Sequence, residues 1–182
     1  MKSLGPAVDH GIPHEAGHIL VGRMVGIPTR GVDVEVVRLR DPEGIRVGDF
    51  ATLGYAPPDD EIPAMNPELG AAFMLYIAGG VAGNKFSGMT KIGAEADSDR
   101  MALARITNKS LEEISDVAVG IINKRRREFR QLVSLIRQRY VDRITKNRNI
   151  ESGRHLLVTQ ADLDKLFGEY ISSNGQNGGV AQ

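Results

Sequence analysis

Apolar positions recur along this chain with two different spacings, and the change between them marks its elements. Ile19, Leu20, Val21 and Met24 follow Pro13 at helical intervals and stop before Gly26-Ile27-Pro28. The pattern predicts a short helix with Pro13 at its first position, where a missing N–H costs nothing. Val32 to Leu39 is instead rich in β-branched residues and partly alternating, and Asp41-Pro42-Glu43-Gly44 supplies a turn after it. Two or three strands are therefore expected between about Gly31 and Tyr55, followed by an exposed loop through Pro57-Pro58-Asp59-Asp60 and Ile62-Pro63.

Helical spacing then returns. Asn66 as N-cap with Pro67 behind it opens a helix to about Phe86. Its apolar run, Ala71 to Gly83, is too short for a membrane span, which takes about 20 residues, so it predicts a buried helix. Gly79 and Gly83 lie one turn apart in it and invite another backbone to approach. A helix is expected from about Ala94 to Ile106. Ser110-Leu111-Glu112-Glu113 is a capping box that opens one long amphipathic stretch carrying Ile122, Phe129, Val133, Ile136, Tyr140 and Ile144. A second box, Thr159-Gln160-Ala161-Asp162, starts the last helix, with Val158 and Leu163 placed as a hydrophobic staple. The expected fold class is α+β, predominantly helical with a small sheet, in a single domain over 1–172. The Gly/Asn/Gln-rich 173–182 reads as a disordered tail.

Composition narrows the chemistry. A chain of 182 residues can bury about 70% of its extended surface around one core. With no cysteine there is no thiolate ligand, thiol nucleophile or disulfide, so any metal must be held by His, Asp or Glu. The N-terminus has no signal-peptide pattern, and a cytoplasmic location is the expectation. Formal net charge is zero, yet Lys124 to Arg148 is strongly basic, opposed only by Glu128 and Asp142. Apolar residues interleave with those arginines at helical spacing and no aromatic platform accompanies them. A solvated helix face fits better than a nucleic-acid surface.

The strongest chemical signal is His14-Glu15-Ala16-Gly17-His18. Histidines four apart on a helix share one face and can ligate one Zn²⁺. Glu15 between them is placed to take a proton from zinc-activated water and hand it to a departing amine, the chemistry of peptide-bond hydrolysis. Residue frequencies alone would produce this pattern in about 0.5% of shuffled chains, so chance is a poor explanation. His10, one turn earlier, is separated by Gly11 and Pro13 and reads as a loop residue, and His155 as an exposed residue beside the last helix.

Catalytic zinc needs a third protein ligand. A metzincin pattern would require Gly at 21 and His at 24, where the chain has Val21 and Met24. Glu35 lies in a predicted strand among valines. Glu95, Asp97 and Asp99 fall within one turn of a predicted helix, and spacing does not separate them.

Taken in order, His14-Glu15-Ala16-Gly17-His18, Leu53-Gly54-Tyr55, Ile77-Ala78-Gly79-Gly80-Val81-Ala82 and Gly93-Ala94-Glu95-Ala96-Asp97-Ser98-Asp99-Arg100 resemble the peptidase domain of the FtsH-type ATP-dependent zinc proteases. The resemblance implies a zincin-like fold and metalloendopeptidase activity on peptides or unfolded segments. By register with the family's Gly-Ala-x-Asn-Asp motif it makes Asp97 the third zinc ligand beside His14 and His18. It also makes the strand through Leu53, Gly54 and Tyr55 the substrate-binding edge, and self-association an expectation. The chain departs from the family in having Ala96 before Asp97, and in lacking the Arg expected near Gly80 and the acidic residues expected near Gly83 and Asn84. No Walker phosphate loop or membrane-anchor pattern occurs in this sequence, and the expectation is a fragment or free-standing subunit that can associate with a separate ATPase. The alternative is a non-catalytic peptidase-like interaction protein.

Overall fold

A computed structural model of the protein describes residues 3–38, 45–54, 65–89, 96–147 and 150–168. In chain order the elements are α1 (Pro6–Val25), β1 (Thr29–Arg38), β2 (Ile45–Gly54), α2 (Pro67–Phe86), α3 (Asp97–Ala104), α4 (Leu111–Lys124), α5 (Arg126–Tyr140) continued by a π turn (Val141–Thr145), β3 (Gly153–Val158) and α6 (Gln160–Phe167). The fold is α+β and mostly helical, with one antiparallel sheet in the order β2-β1-β3. Among the described residues no helix is long and apolar enough to cross a membrane. The expected tail, 173–182, lies outside the described residues.

Helix α1 is the hub. It packs on α2, β2, α5 and α4, and residues 11–23 are buried all round its circumference. Burial on every side explains why the helix begins at Pro6 rather than at Pro13, as the local pattern had suggested. Glycine and proline are poor interior helix residues, but tertiary contacts occupy both places. The Phe50 ring sits where a Cβ on Gly11 would be, with its Cδ2 only 2.6 Å from that position. The carbonyl of Pro13 fills the place of a Cβ on Gly83. His10 is accordingly a helical residue of α1, not a loop residue.

The α1–α2 contact depends on missing side chains. A Cβ on Gly17 would overlap the carbonyl oxygen of Gly79, and one on Gly79 would stand 2.7 Å from the carbonyl oxygen of Gly17. These glycines bring the two backbones together, as the spacing of Gly79 and Gly83 had indicated. Helix α2 starts as its cap dictates, with the Asn66 side chain accepting from the Leu69 N–H at 2.8 Å.

In the sheet, Val32, Val34 and Val36 of β1 are fully buried and Asp33 faces the other way, pairing with Arg154 of β3 at 3.0 Å. Strand β3 is an addition to the sequence reading, and its His155 is a half-buried strand residue whose Nε2 lies 2.8 Å from the Glu151 carbonyl. The long amphipathic stretch is broken at Arg125 (φ −123°, ψ 33°), so α4 and α5 each present their own apolar face. Ile114, Ala118 and Ile122 are buried from α4, and Phe129, Leu132, Ile136 and Tyr140 from α5. Both capping boxes form, at Ser110/Glu113 and Thr159/Asp162. Val158 and Leu163 are buried together. Two of the basic residues are structural ties: Arg137 pairs with Asp9 of α1 at 2.9 Å and Arg139 with Asp162 of α6 at 3.1 Å. Arg126, Arg127 and Arg130 lie on the exposed face.

Candidate metal centre

His14 and His18 sit one turn apart on α1, 2% and 7% exposed, with their rings edge to face at 4.8 Å between centroids. Helix α2 crosses directly beneath them. The Nδ1 of His18 lies 2.9 Å from the backbone carbonyl of Tyr76. A carbonyl only accepts, so Nδ1 carries a proton, and Nε2 is the ring nitrogen left to face the centre. One turn further along α2, Gly80 leaves the room the imidazoles need. A Cβ there would stand 2.5 Å from both His14 Cε1 and His18 Nε2.

Helix α3 delivers the third group. The Oδ2 of Asp99 lies 3.2 Å from His14 Nε2 and 3.3 Å from His18 Nε2, and the two Nε2 atoms are 3.2 Å apart. Asp97, the ligand implied by the family resemblance, is not brought to the histidines. It is exposed and accepts from Arg100 Nη1 at 2.8 Å. The reason is helix geometry: residues two apart point about 200° away from each other, so only one of the two acids can face α1. Asp97 opens α3 at the surface and Asp99 turns inward. Glu35 lies in β1 opposite Arg154 of β3, and Glu95 lies outside the described residues. Among the described residues, His14, His18 and Asp99 are the one cluster of three potential ligands.

The donor set fits a small cation. Zinc with bonds of 2.0–2.1 Å in tetrahedral geometry separates its ligand atoms by about 3.3 Å, and the three spacings match. Asp99 Oδ2 is buried and takes no well-formed hydrogen bond among the described residues, and neither does His14 Nδ1. The electrostatics agree. Burial disfavours a charged His18, but the carboxylates of Asp99 and Glu15 and the Tyr76 carbonyl outweigh it, pushing the imidazole up to about 9. Burial likewise opposes ionisation of Asp99, and the neighbouring His18 and His14 overcome it and hold the carboxyl down at about 2. The cluster therefore favours a positive charge beside Asp99, on an imidazolium or on a metal ion.

Glu15 is 6% exposed and stands beside this cluster on α1. Its Oε2 accepts from Thr52 Oγ1 of β2 at 2.7 Å. Thr52 was not singled out by sequence, although strand alternation places it on the same face as Phe50, towards α1. Of the expected substrate strand, Leu53 is exposed and Gly54 ends β2, one of the two outer strands of the described sheet; Tyr55 lies outside the described residues. The Tyr76 ring flanks His18 at 5.4 Å between centroids.

No protein-family model, curated protein or solved structure matches this chain.

Proposed function

We propose that the chain is a zinc metallopeptidase of the FtsH type, with His14, His18 and Asp99 as metal ligands and Glu15 as general base and acid. The observation that carries the proposal is the convergence of three potential ligand atoms at tetrahedral spacing, with the buried Glu15 carboxylate beside the two histidines on the same helix. A structural metal site would have no use for that carboxylate. Zinc, when bound there, supplies a Lewis acid that acidifies water and polarises a peptide carbonyl.

The chain's own residues divide the remaining work. The Tyr76 carbonyl fixes the His18 tautomer, and Asp99 contributes the negative charge that retains the ion. Glu15 accepts one proton from the attacking water at a carboxylate oxygen. It then returns that proton to the amide nitrogen as the C–N bond breaks, leaving a carboxylic acid and an amine. Leu53, Gly54 and Tyr55, at the end of an outer strand, are proposed to receive the substrate backbone in extended form by strand addition. Substrates would be peptides or unfolded segments. A homo-oligomer and a separate ATPase partner belong to the same reading, as does a cytoplasmic location for a chain without cysteine.

Metal analysis of purified protein coupled to a casein-type peptidase assay tests it. Wild type should hold one zinc and cleave. Glu15→Gln should keep the zinc and lose at least about 10²-fold in kcat. Equal turnover by the two proteins would refute the enzyme assignment. No turnover by either, on a broad peptide library, would favour the interaction-protein alternative.

A further inference from the structure

Strand β2 docks on α1 through two side chains of one face. Phe50 and Thr52, two apart on the strand, meet Gly11 and Glu15, one turn apart on the helix. The first contact is steric, with the Phe50 ring filling the space a side chain on Gly11 would need. The second is polar. Thr52 Oγ1 lies 2.7 Å from Glu15 Oε2 and 3.3 Å from the backbone carbonyl of the same residue. A threonine hydroxyl has one hydrogen to donate, and the shorter, charge-assisted contact is the stronger claim on it. Oε1 takes no hydrogen bond from any described residue.

We infer that Thr52 is a positioning residue for Glu15: it occupies Oε2, fixes the carboxylate plane, and leaves Oε1 as the atom that exchanges the proton. The inference rests on the peptidase reading above. A free glutamate side chain rotates about three bonds, and ordering it at the reacting centre has an entropic cost that a second anchor reduces. Thr52 lies on the same strand as Leu53 and Gly54, so the contact also ties the general base to the proposed substrate strand. The opposite strand fixes the register, with Thr52 paired to the fully buried Val32 of β1.

The test compares Thr52→Val, which keeps the shape and removes the hydroxyl, with Thr52→Ser, which keeps the hydroxyl. Zinc content, kcat and KM are measured, and the Glu15 carboxylate is located in crystal structures of the zinc-loaded proteins. Thr52→Val should retain one zinc, keep KM within about 2-fold and lose about 10- to 100-fold in kcat, the scale of a misplacement of about 1 Å. Its Glu15 carboxylate should leave the wild-type position, and Thr52→Ser should restore both position and rate. Wild-type kcat in Thr52→Val, or an unmoved carboxylate, would overturn the inference. If wild type has no turnover, the peptidase reading fails, and the carboxylate position alone decides whether Thr52 holds Glu15. Should Thr52→Val not fold, failure of the folded Thr52→Ser to keep the carboxylate in place would overturn the inference.

Discussion

Gly80→Ala adds one methyl group at the point where α2 meets the two imidazoles. The new Cβ would stand 2.5 Å from His14 Cε1, 2.5 Å from His18 Nε2 and 2.6 Å from His14 Nε2. Ordinary van der Waals contact begins at about 3.5 Å, so something must yield by about 1 Å. The helices cannot separate cheaply, because Gly17 and Gly83 already bring backbone against backbone on either side. The rings must give way, and a histidine displaced by that much no longer completes a tetrahedral set. Zinc affinity should fall by at least about 10- to 100-fold, the cost seen when ligand orientation is disturbed. Stability without metal should move little. Overpacking costs about 1–3 kcal/mol, while Gly→Ala in a helix recovers about 1 kcal/mol, leaving about 0–2 kcal/mol of destabilisation. Gly120→Ala is the control, since nothing lies within 4 Å of its would-be Cβ, and it should stabilise by about 0.5–1 kcal/mol with zinc affinity unchanged. Zinc competition against a chromophoric chelator and urea unfolding in EDTA give both quantities. Wild-type zinc affinity in Gly80→Ala would refute the placement of α2 against the histidines.

Gly17→Ala drives its Cβ into the Gly79 carbonyl, a backbone atom with no rotamer to escape by, and should destabilise by about 3 kcal/mol or more in urea unfolding; a loss under 1 kcal/mol would show that the helices are not in contact there. Asp162 is held below its ordinary carboxylate value, first by the Thr159 N–H and further by the Thr159 hydroxyl and Arg139, against opposing burial. A lowered folded pKa gives stability that is present above the ordinary carboxylate value of 3.8 and lost as pH falls through the folded value. Asp162→Ala should therefore lose about 1 kcal/mol at pH 7, with the gap to wild type narrowing below about pH 4, as urea midpoints between pH 7 and pH 3 would show. A gap independent of pH would contradict the role given to its charge.

How far the sequence could be read depended on whether an element's signals were local. Asn66-Pro67, the Ser110/Glu113 box and the Thr159/Asp162 box satisfy their own helix ends, and all three helices start where those residues say. The start of α1 was misread because Gly11 and Pro13 look like breakers until Phe50 and Gly83 are packed against them. Strand β3, Gly-Arg-His-Leu-Leu-Val, has little alternation of its own and is held by β1, with Arg154 on Asp33. At the site, the i, i+4 relation of His14 and His18 is a property of any helix. The choice between Asp97 and Asp99 was not legible, because it depends on which face α3 turns towards α1. Resemblance to a family register pointed to Asp97, and packing delivers Asp99. Thr52 joins two elements distant in sequence, so no motif could mark it beyond the alternation that puts it on the side of Phe50.

The most direct test of the metal centre is the zinc stoichiometry of four proteins purified side by side: wild type, His18→Ala, Asp97→Ala and Asp99→Ala. Wild type and Asp97→Ala should each retain about one zinc per chain after dialysis against a weak chelator, while His18→Ala and Asp99→Ala lose it, and X-ray absorption of the loaded proteins should show N/O donors at about 2.0–2.2 Å. Zinc retained by Asp99→Ala and lost by Asp97→Ala would contradict the centre described here and restore the ligand implied by the family register.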